Sequence, residues 1–211
     1  DIVWRQVIDV CTGHTVNYLY ADGTTAAASH TESVNYNASY SVTSPAITGY
    51  TPDMAIVSGT MGTENVTVDV TYTINNYIIS ASANPTVGGS VNGAGTYNHF
   101  ATAELTAIAS TGYTFINWTE NGTVVSTSPT ISFMVEGPRT LVANFQLNSY
   151  QITAIANPTV GGAATGTGTY NHFETCTLVA TPNEYYVFTN WTKNGQVVSD
   201  EATYSFTVEG G

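Results

Sequence analysis

The chain contains 211 residues, carries a formal net charge of −12 and has only 3 lysine and arginine residues in total. Nucleic acids and anionic membrane surfaces bind basic patches, so this composition excludes both as partners. Charged residues make up 9% of the chain, against roughly a quarter in ordinary soluble proteins, which favours an extracellular location. No apolar run approaches the roughly 20 residues of a membrane span, and the start at Asp1 leads us to expect a mature piece of a longer secreted protein.

The first ten residues carry large apolar side chains on one face of a predicted strand: Ile2, Trp4, Ile8 and Val10. We expect residues 1–13 to be an N-terminal strand or the remnant of a preceding module. Because it would lack a sheet of its own, this strand is expected to pack on the next module or to pair with an open sheet edge elsewhere.

Residues 14–74, named here the N-terminal segment, are expected to form a small β module. Alternating apolar and polar residues predict strands at 16–20, 39–42 and 66–72. The segment also contains Thr-Gly-Tyr-Thr at 48–51, which recurs at 111–114, and a Tyr-Asn pair precedes both blocks. We interpret this likeness as shared architecture.

An internal repeat dominates the rest of the chain, and its blocks recur at position numbers that are higher by 157 − 84 = 73. Four blocks share this register: Asn-Pro-Thr-Val-Gly-Gly at 84 and 157, Thr-Tyr-Asn-His-Phe at 96 and 169, Asn-Trp-Thr at 117 and 190, and Val-Glu-Gly at 135 and 208. Such agreement excludes chance. We therefore expect two related modules, the first repeat copy (residues 75–148) and the second repeat copy (residues 149–211). The second copy is expected to lack its last strand, because the sequence stops at Gly211 and has no counterpart of residues 139–145. Either the natural protein runs on from there or this piece was trimmed there.

Each copy is expected to consist of strands. Alternation at 101–109, 131–135 and 141–145 predicts strands with one buried face, and no stretch has helical periodicity. Asn121-Gly122 and Asn194-Gly195 predict tight hairpin turns.

Modules of this size bury only ~60% of their unfolded surface, so contacts between neighbouring modules should contribute to their stability. The connections at 75–76 and 148–149 lack flexible Gly/Ser runs, which predicts a semi-rigid rod.

Two resemblances follow from these motifs. Residues 14–24, the Gly-Tyr at 49–50 and the strand at 66–72 resemble the MucBP (mucin-binding protein) domain of bacterial surface adhesins. Residues 77–211 resemble the divergent internalin B-repeat family, through Ala-Asn-Pro with Gly-Gly at 83–89, Gly-Tyr-Thr-Phe-Ile-Asn-Trp at 112–118 and Arg-Thr-Leu-Val-Ala-Asn-Phe at 139–145. The second resemblance implies β-grasp-like modules that act as extracellular spacers. The expected fold is thus mainly β, a tandem array of three small β-grasp-like modules in an elongated rod.

The paired tryptophans Trp118 and Trp191 have two interpretations. Indole rings stack on sugars, and they also fill protein cores. Their position beside Phe115 and Phe188, just before a hairpin turn, favours the core. Together with Trp4, they would be the first residues to mutate if the chain bound glycans.

The histidines and carboxylates do not predict a metal site. His99 and His172 lie far apart in the sequence, in different copies, without a second ligand at metal spacing, so we interpret them as loop histidines. His14 and His30 have no ligand spacing either. The acidic residues are scattered and form no calcium-binding loop. No metal, cofactor or ligand-binding residue is therefore assigned.

The sequence also predicts no catalytic residues. Cys176 aligns with Ala103 on an inward strand face, which predicts an inert buried thiol. The contexts of Cys11 and Cys176 differ too much to predict a disulfide between them. A hydrolase would need convergent carboxylates or a nucleophile with its base, and no compact constellation of that kind is visible.

The leading hypothesis is a non-catalytic stalk and adhesion segment of a bacterial cell-surface or secreted protein. It would be located outside the cell or in the cell wall, with host mucin, another glycan or a surface protein as partner. The alternative is a carbohydrate-binding module that uses exposed aromatic side chains. Solvent exposure of Trp118 and Trp191 distinguishes the two, because a binding platform must be reachable.

Overall fold

The computed structural model of the protein describes residues 11–210, with side chains from Thr12 onward. The strand expected within residues 1–10 therefore lies outside the described residues. By its internal contacts the chain divides into two compact units. The first comprises the chain up to Ile79 with Gly95–Ala103 and Ser132–Arg139, and the second comprises Ser80–Ala94, Glu104–Ile131 and the chain from Thr140.

Strands account for nearly all of the regular structure, which confirms the mainly β fold. The N-terminal segment contains β1 (Cys11–Tyr20), β2 (Thr25–Asn35), β3 (Ser39–Thr43), β4 (Tyr50–Pro52), β5 (Ile56–Thr60) and β6 (Val66–Ile74). The first repeat copy contains β7 (Asn76–Asn84), β8 (Gly89–Asn92), β9 (Gly95–Asn98), β10 (Thr102–Ala109), β11 (Tyr113–Glu120), β12 (Thr123–Ser126), β13 (Thr130–Met134) and β14 (Arg139–Leu147). The second contains β15 (Ser149–Ile152), β16 (Gly162–Thr165), β17 (Gly168–Asn171), β18 (Thr175–Pro182), β19 (Trp191–Lys193), β20 (Gln196–Ser199) and β21 (Thr203–Thr207).

The only helical turns within residues 11–210 are two short 3-10 helices, Thr86–Gly88 and Thr159–Gly161, at equivalent places in the two copies. Neither is long or apolar enough to cross a membrane.

The N-terminal segment forms a four-stranded sheet in the order β2-β1-β6-β4 and a separate β3-β5 pair. β1 and β6 run parallel, and alternate residues of the strands fill the core, as period-two patterning requires. The buried members are Val16, Tyr18, Val42, Val57, Val70 and Tyr72. The strands predicted at 16–20, 39–42 and 66–72 are confirmed. β2, β4 and β5 were not predicted from the sequence.

The first repeat copy forms a five-stranded sheet in the order β12-β11-β14-β7-β9 and a three-stranded sheet in the order β13-β10-β8. β14 thus lies between β11 and β7. Its alternate residues Leu141, Ala143 and Phe145 are buried, as the sequence pattern predicts. β14 therefore supplies both backbone pairing and core side chains to this copy.

The second repeat copy has the same elements without a counterpart of β14. Its strands form three smaller sheets, β16-β18-β21, β15-β17 and β19-β20. Residues 153–156 and 186–190 are not in strands, although the equivalent residues 80–83 and 113–117 belong to β7 and β11. In the described part of the chain, the sheet that β14 completes in the first copy is therefore split.

The two predicted hairpin turns have the expected backbone. Asn121 and Gly122 have φ of 50° and 79°, and Asn194 and Gly195 have φ of 51° and 78°. Two successive residues in the left-handed region define the type I′ turn that suits the twist of a hairpin. Each turn joins its tryptophan-bearing strand to the next, β11 to β12 and β19 to β20.

Candidate functional site

Two recurring contacts, named here the joints, connect consecutive segments of the chain. The first joint lies within the first unit. Its linker residue Asn75 donates its backbone N–H to the carbonyl of Gly49 at 2.8 Å, and its own carbonyl accepts the N–H of His99 at 2.8 Å. The Asn75 side-chain oxygen accepts a hydrogen bond from Thr51 Oγ1 at 2.7 Å. Both backbone groups and the side chain of the linker residue are therefore engaged.

The second joint lies within the second unit and repeats these bonds. Asn148 N–H donates to the Gly112 carbonyl at 2.8 Å, and the Asn148 carbonyl accepts the N–H of His172 at 2.8 Å. Thr114 Oγ1 donates to Asn148 Oδ1 at 2.6 Å. The Thr-Gly-Tyr-Thr blocks noticed in the sequence therefore perform the same structural role in unlike segments.

Glycine is required at both joints. Gly49 and Gly112 have φ of 80° and 81°, a region that side chains disfavour. The ring of His99 packs directly on Gly49, and the ring of His172 packs directly on Gly112, so a Cβ at either glycine would overlap the imidazole. Each joint thus consists of a bare glycine surface and a histidine ring that covers it.

The joint histidines lie in turns, as expected for loop histidines, and they are also buried. His99 is only 6% and His172 only 8% exposed. His99 contacts Phe100 at a ring distance of 3.9 Å, and His172 contacts Phe173 at 4.0 Å. None of their ring nitrogens has a hydrogen-bond partner among the described residues. The rings therefore serve as packing groups.

The other two histidines lie close together, which the sequence did not predict. His14 Nδ1 lies 3.3 Å from Glu32 Oε1, and His30 Nε2 lies 3.7 Å from the same oxygen. The register of β1 on β2 places His14 opposite Glu32. No group of three potential ligands that could hold a metal ion occurs within residues 11–210. The three side chains therefore form a histidine–carboxylate contact between β1 and β2.

Both repeat tryptophans lie in cores, as predicted. Trp118 is 0% and Trp191 is 9% exposed, with Phe115 and Phe188 at ring distances of 6.0 and 5.6 Å. Trp118 Nε1 donates to the Pro129 carbonyl at 3.2 Å. A glycan-stacking platform needs an exposed indole face, and neither tryptophan presents one.

Cys176 is fully buried, as its alignment predicts, and is a free thiol. Its Sγ donates to the Gly166 carbonyl at 3.6 Å, and the Tyr170 hydroxyl donates to the same carbonyl at 2.7 Å. The neighbouring thiol, followed by burial, raises the pKa of Tyr170. No described histidine or carboxylate hydrogen-bonds to this thiol, so nothing there resembles an activated nucleophile.

The turn between β1 and β2 lowers the pKa of one carboxyl group, that of Asp22. Asp22 Oδ1 accepts hydrogen bonds from Thr24 Oγ1 at 2.6 Å and from Thr24 N at 3.0 Å. The hydroxyl bond, and then the backbone bond, lower the pKa of Asp22. These bonds stabilise the β1–β2 turn.

Models of two known protein families match the chain. The family model of the divergent InlB B-repeat domain matches residues 79–149 and again residues 152–211. The model of the MucBP domain matches residues 15–73. A search of curated proteins finds no match. Both resemblances inferred from the motifs are therefore confirmed.

Solved structures also match the chain. It is similar to the type 2 repeat of the mucus binding protein MUB from Lactobacillus reuteri, at 30% identity and a TM-score of 0.28, over 31% of this chain and 49% of that one. It is similar to the Bacillus anthracis TIE protein, at 10% identity and a TM-score of 0.50, over 94% of this chain and 48% of that one. The chain thus spans about half the length of each, and the second likeness shows a fold alone.

MucBP and B-repeat domains belong to bacterial surface proteins of the adhesion type and are typically non-catalytic. The two B-repeat matches together cover more than half of the 211 residues. The chain therefore belongs to the divergent InlB B-repeat family, with a MucBP domain ahead of its two repeats.

Proposed function

We propose that the chain is a stalk and adhesion segment of a bacterial protein exposed on the cell surface or in the cell wall. Residues 14–74, 75–148 and 149–211 would be three β-grasp-like modules, held in a semi-rigid rod that projects a binding surface outward. The observation that carries this proposal is the joint, because the same glycine, asparagine and histidine contacts occur twice in one chain.

The joints support stiffness for a specific reason. A flexible linker leaves its backbone groups to water and samples many conformations. At Asn75 and Asn148 both the N–H and the carbonyl are bonded to protein groups on either side. Rotation about the linker would break these bonds and expose a buried histidine. We therefore expect bending at the linker to raise the free energy of the chain.

The adhesive part of the proposal rests on the MucBP match and on charge. A net charge of −12 repels sialylated or sulfated glycans, so contact with mucin would involve neutral sugars or the mucin polypeptide. Repulsion of this kind is screened by salt. We therefore expect mucin binding to increase when sialic acid is removed and when ionic strength rises.

Small-angle X-ray scattering tests the stalk. The joint variant carries Gly49→Ala and Gly112→Ala, which place a Cβ against each histidine ring. The control carries Gly23→Ala and Gly122→Ala, where φ is 84° and 79° and a Cβ would meet nothing within 4 Å. We expect the control to scatter like the unmodified chain and the joint variant to show a broader distribution of distances. Identical scattering from all three would contradict the proposed stiffness.

Adhesion is tested separately with immobilised mucin before and after desialylation. Binding that strengthens after desialylation, and that a glycan array assigns to neutral structures, is the expected result. If the chain bound no form of mucin and no glycan, the adhesive part would be wrong and the stalk would remain.

A further inference from the structure

Phe100 and Phe173 occupy equivalent turns of the two repeat copies, and both are exposed aromatic residues with a strained backbone. Their φ angles are 64° and 67°, in the left-handed region where a bulky side chain costs free energy. Burial does not offset this cost, because Phe100 is 49% and Phe173 is 56% exposed. Strain that is retained at an exposed residue favours a role for that residue in function.

Backbone hydrogen bonds hold each phenylalanine in its turn. In the first copy Phe100 N–H donates to the Val135 carbonyl at 2.7 Å, and Val135 N–H donates to the Ala101 carbonyl at 2.8 Å. In the second copy Phe173 N–H donates to the Val208 carbonyl at 2.7 Å. The two rings are therefore presented by the same rigid backbone arrangement.

The N-terminal segment contains the same turn with an asparagine in place of the phenylalanine. Asn37 N–H donates to the Met61 carbonyl at 3.0 Å, and Met61 N–H donates to the Ala38 carbonyl at 2.9 Å. Asn37 has φ of 63°, and asparagine is one of the residues that adopt this conformation most readily. The turn itself therefore does not require a phenylalanine.

The histidine beside each phenylalanine does not require an aromatic neighbour either. The Phe100 ring lies 3.9 Å from the His99 ring at an interplanar angle of 58°, and the Phe173 ring lies 4.0 Å from the His172 ring at 59°. Covering an imidazole needs only an apolar side chain, which leucine also supplies. Neither the turn nor the joint thus explains why both copies have an aromatic ring here.

The surroundings of the two rings suit an uncharged ligand that carries hydroxyl groups. Glu136 and Glu209 directly follow the valines of these turns, and Asn98 and Asn171 lie two residues before the phenylalanines; all four are exposed. Carboxylate and amide oxygens accept hydrogen bonds from hydroxyl groups, and carboxylates repel anions. A neutral sugar matches this combination, because its C–H groups stack on an aromatic face while its hydroxyl groups form hydrogen bonds.

We propose that the turns at Phe100 and Phe173 are two equivalent binding sites for a neutral hexose. The phenylalanine stacks on the apolar face of the sugar, and the exposed glutamate and asparagine of the same copy accept hydrogen bonds from its hydroxyl groups. Galactose is the expected hexose, because a run of neighbouring C–H groups lies on one face of its ring. This inference rests on the adhesive part of the proposed function and assigns sugar contact to the repeat copies.

The test measures binding of the full 211-residue chain to immobilised desialylated mucin. Phe100→Asn with Phe173→Asn copies the residue that Asn37 provides in the same turn, so this variant should keep its fold. It should bind at least about tenfold more weakly, because two stacking contacts are lost at once. The control, Val87→Ala with Val160→Ala, removes apolar side chains that are 67% and 64% exposed and should bind normally. Equal binding by both variants would overturn the inference.

A second pair of variants separates aromatic stacking from apolar cover of the histidines. Phe100→Leu with Phe173→Leu keeps an apolar side chain on each imidazole, so we expect the melting temperature of the unmodified chain and the weak binding of the asparagine variant. Phe100→Tyr with Phe173→Tyr keeps both rings and should bind about as tightly as the unmodified chain. Full binding by the leucine variant would show that no aromatic ring is needed and would contradict the proposed sites.

The location is tested without any substitution by an NMR titration of the chain with methyl β-galactoside. We expect the largest chemical-shift changes at residues 98–101 and 135–137, and at their counterparts 171–174 and 208–210. Changes confined to other residues, or mucin binding that the phenylalanine variants leave intact, would refute these sites and leave the adhesive function in place. If the unmodified chain bound no neutral glycan, the inference and the adhesive part of the proposed function would both be wrong.

Discussion

The first and second repeat copies have the same sequence blocks in the same register, yet they differ at one turn. The first copy has Gly112 at φ 81°, and the second has Tyr185 at φ 70° with 95% of its surface exposed. A repeat can therefore keep its core motifs while it changes the surfaces through which it contacts other parts of a protein.

The largest expected effect comes from β14 of the first copy, where Phe145 is buried. Phe145→Ala removes the side chain that covers the Gly88-Gly89 pair and contacts Phe115. We expect the free energy of unfolding of this copy to fall by about 3–5 kcal/mol, as for other buried phenylalanines. Hydrogen exchange resolved by peptide measures it. Gln146→Ala, at an exposed position of the same strand, is the control and should change little.

A smaller loss is expected when the turn residues are exchanged in the first copy. Gly112→Tyr places a side chain at left-handed φ and against the His172 ring. We expect a loss of at least about 2 kcal/mol, from backbone strain of about 1–2 kcal/mol together with overpacking. Thermal unfolding measures it. Gly122→Tyr measures the backbone strain without the overpacking, because φ at Gly122 is 79° and nothing lies within 4 Å of a Cβ there.

The reverse exchange, from tyrosine to glycine in the second copy, should stabilise that copy slightly. Tyr185→Gly relieves the left-handed strain of a bulky residue, and the greater freedom of glycine in the unfolded chain offsets part of the gain. We expect a net stabilisation of about 0.5 kcal/mol in chemical denaturation. A loss of stability would mean that the exposed Tyr185 ring makes a contact that holds the turn.

The smallest expected effect is a loss of stability of the second copy at alkaline pH. Because the pKa of Tyr170 is raised above its ordinary value of 10.0, the folded second copy holds this proton more tightly than the unfolded chain does. That stabilisation is complete below pH 10 and is lost as pH rises through the raised pKa. The second copy should therefore lose stability in urea denaturation as pH rises above 10. Cys176→Ala, which installs the residue of the first copy, should reduce this loss.

Much of the fold could be predicted because its signals are local. Alternating residues identified β10 and β14, and the constant register of the repeated blocks aligned the two copies from sequence alone. β2 was missed because its residues are mostly Ala, Ser and Thr, so its two faces have similar polarity. Patterning shows a strand only where one face is buried against a core.

The joints could be predicted only in part. Thr-Gly-Tyr-Thr at 48–51 and 111–114 was visible, but its partner His99 lies far beyond Gly49 in the sequence, and sequence spacing does not show that the two touch. The contact of His14 and His30 with Glu32 depended on the register of β1 on β2 in the same way. Long-range contacts between short motifs become visible only when the sheets that carry them are known.

The joints also bear on how such a chain changes over evolutionary time. The position numbers of the linker residues Asn75 and Asn148 differ by the repeat period, so one Asn-to-Asn block is a unit of duplication that carries half of each joint with it. A MucBP segment and a B-repeat present the same glycine surface, so recombination can add or remove a block after either one without new compensating mutations. Tyr185 breaks this interchangeability, because a further block could use the same contacts after the second copy only if position 185 returned to glycine.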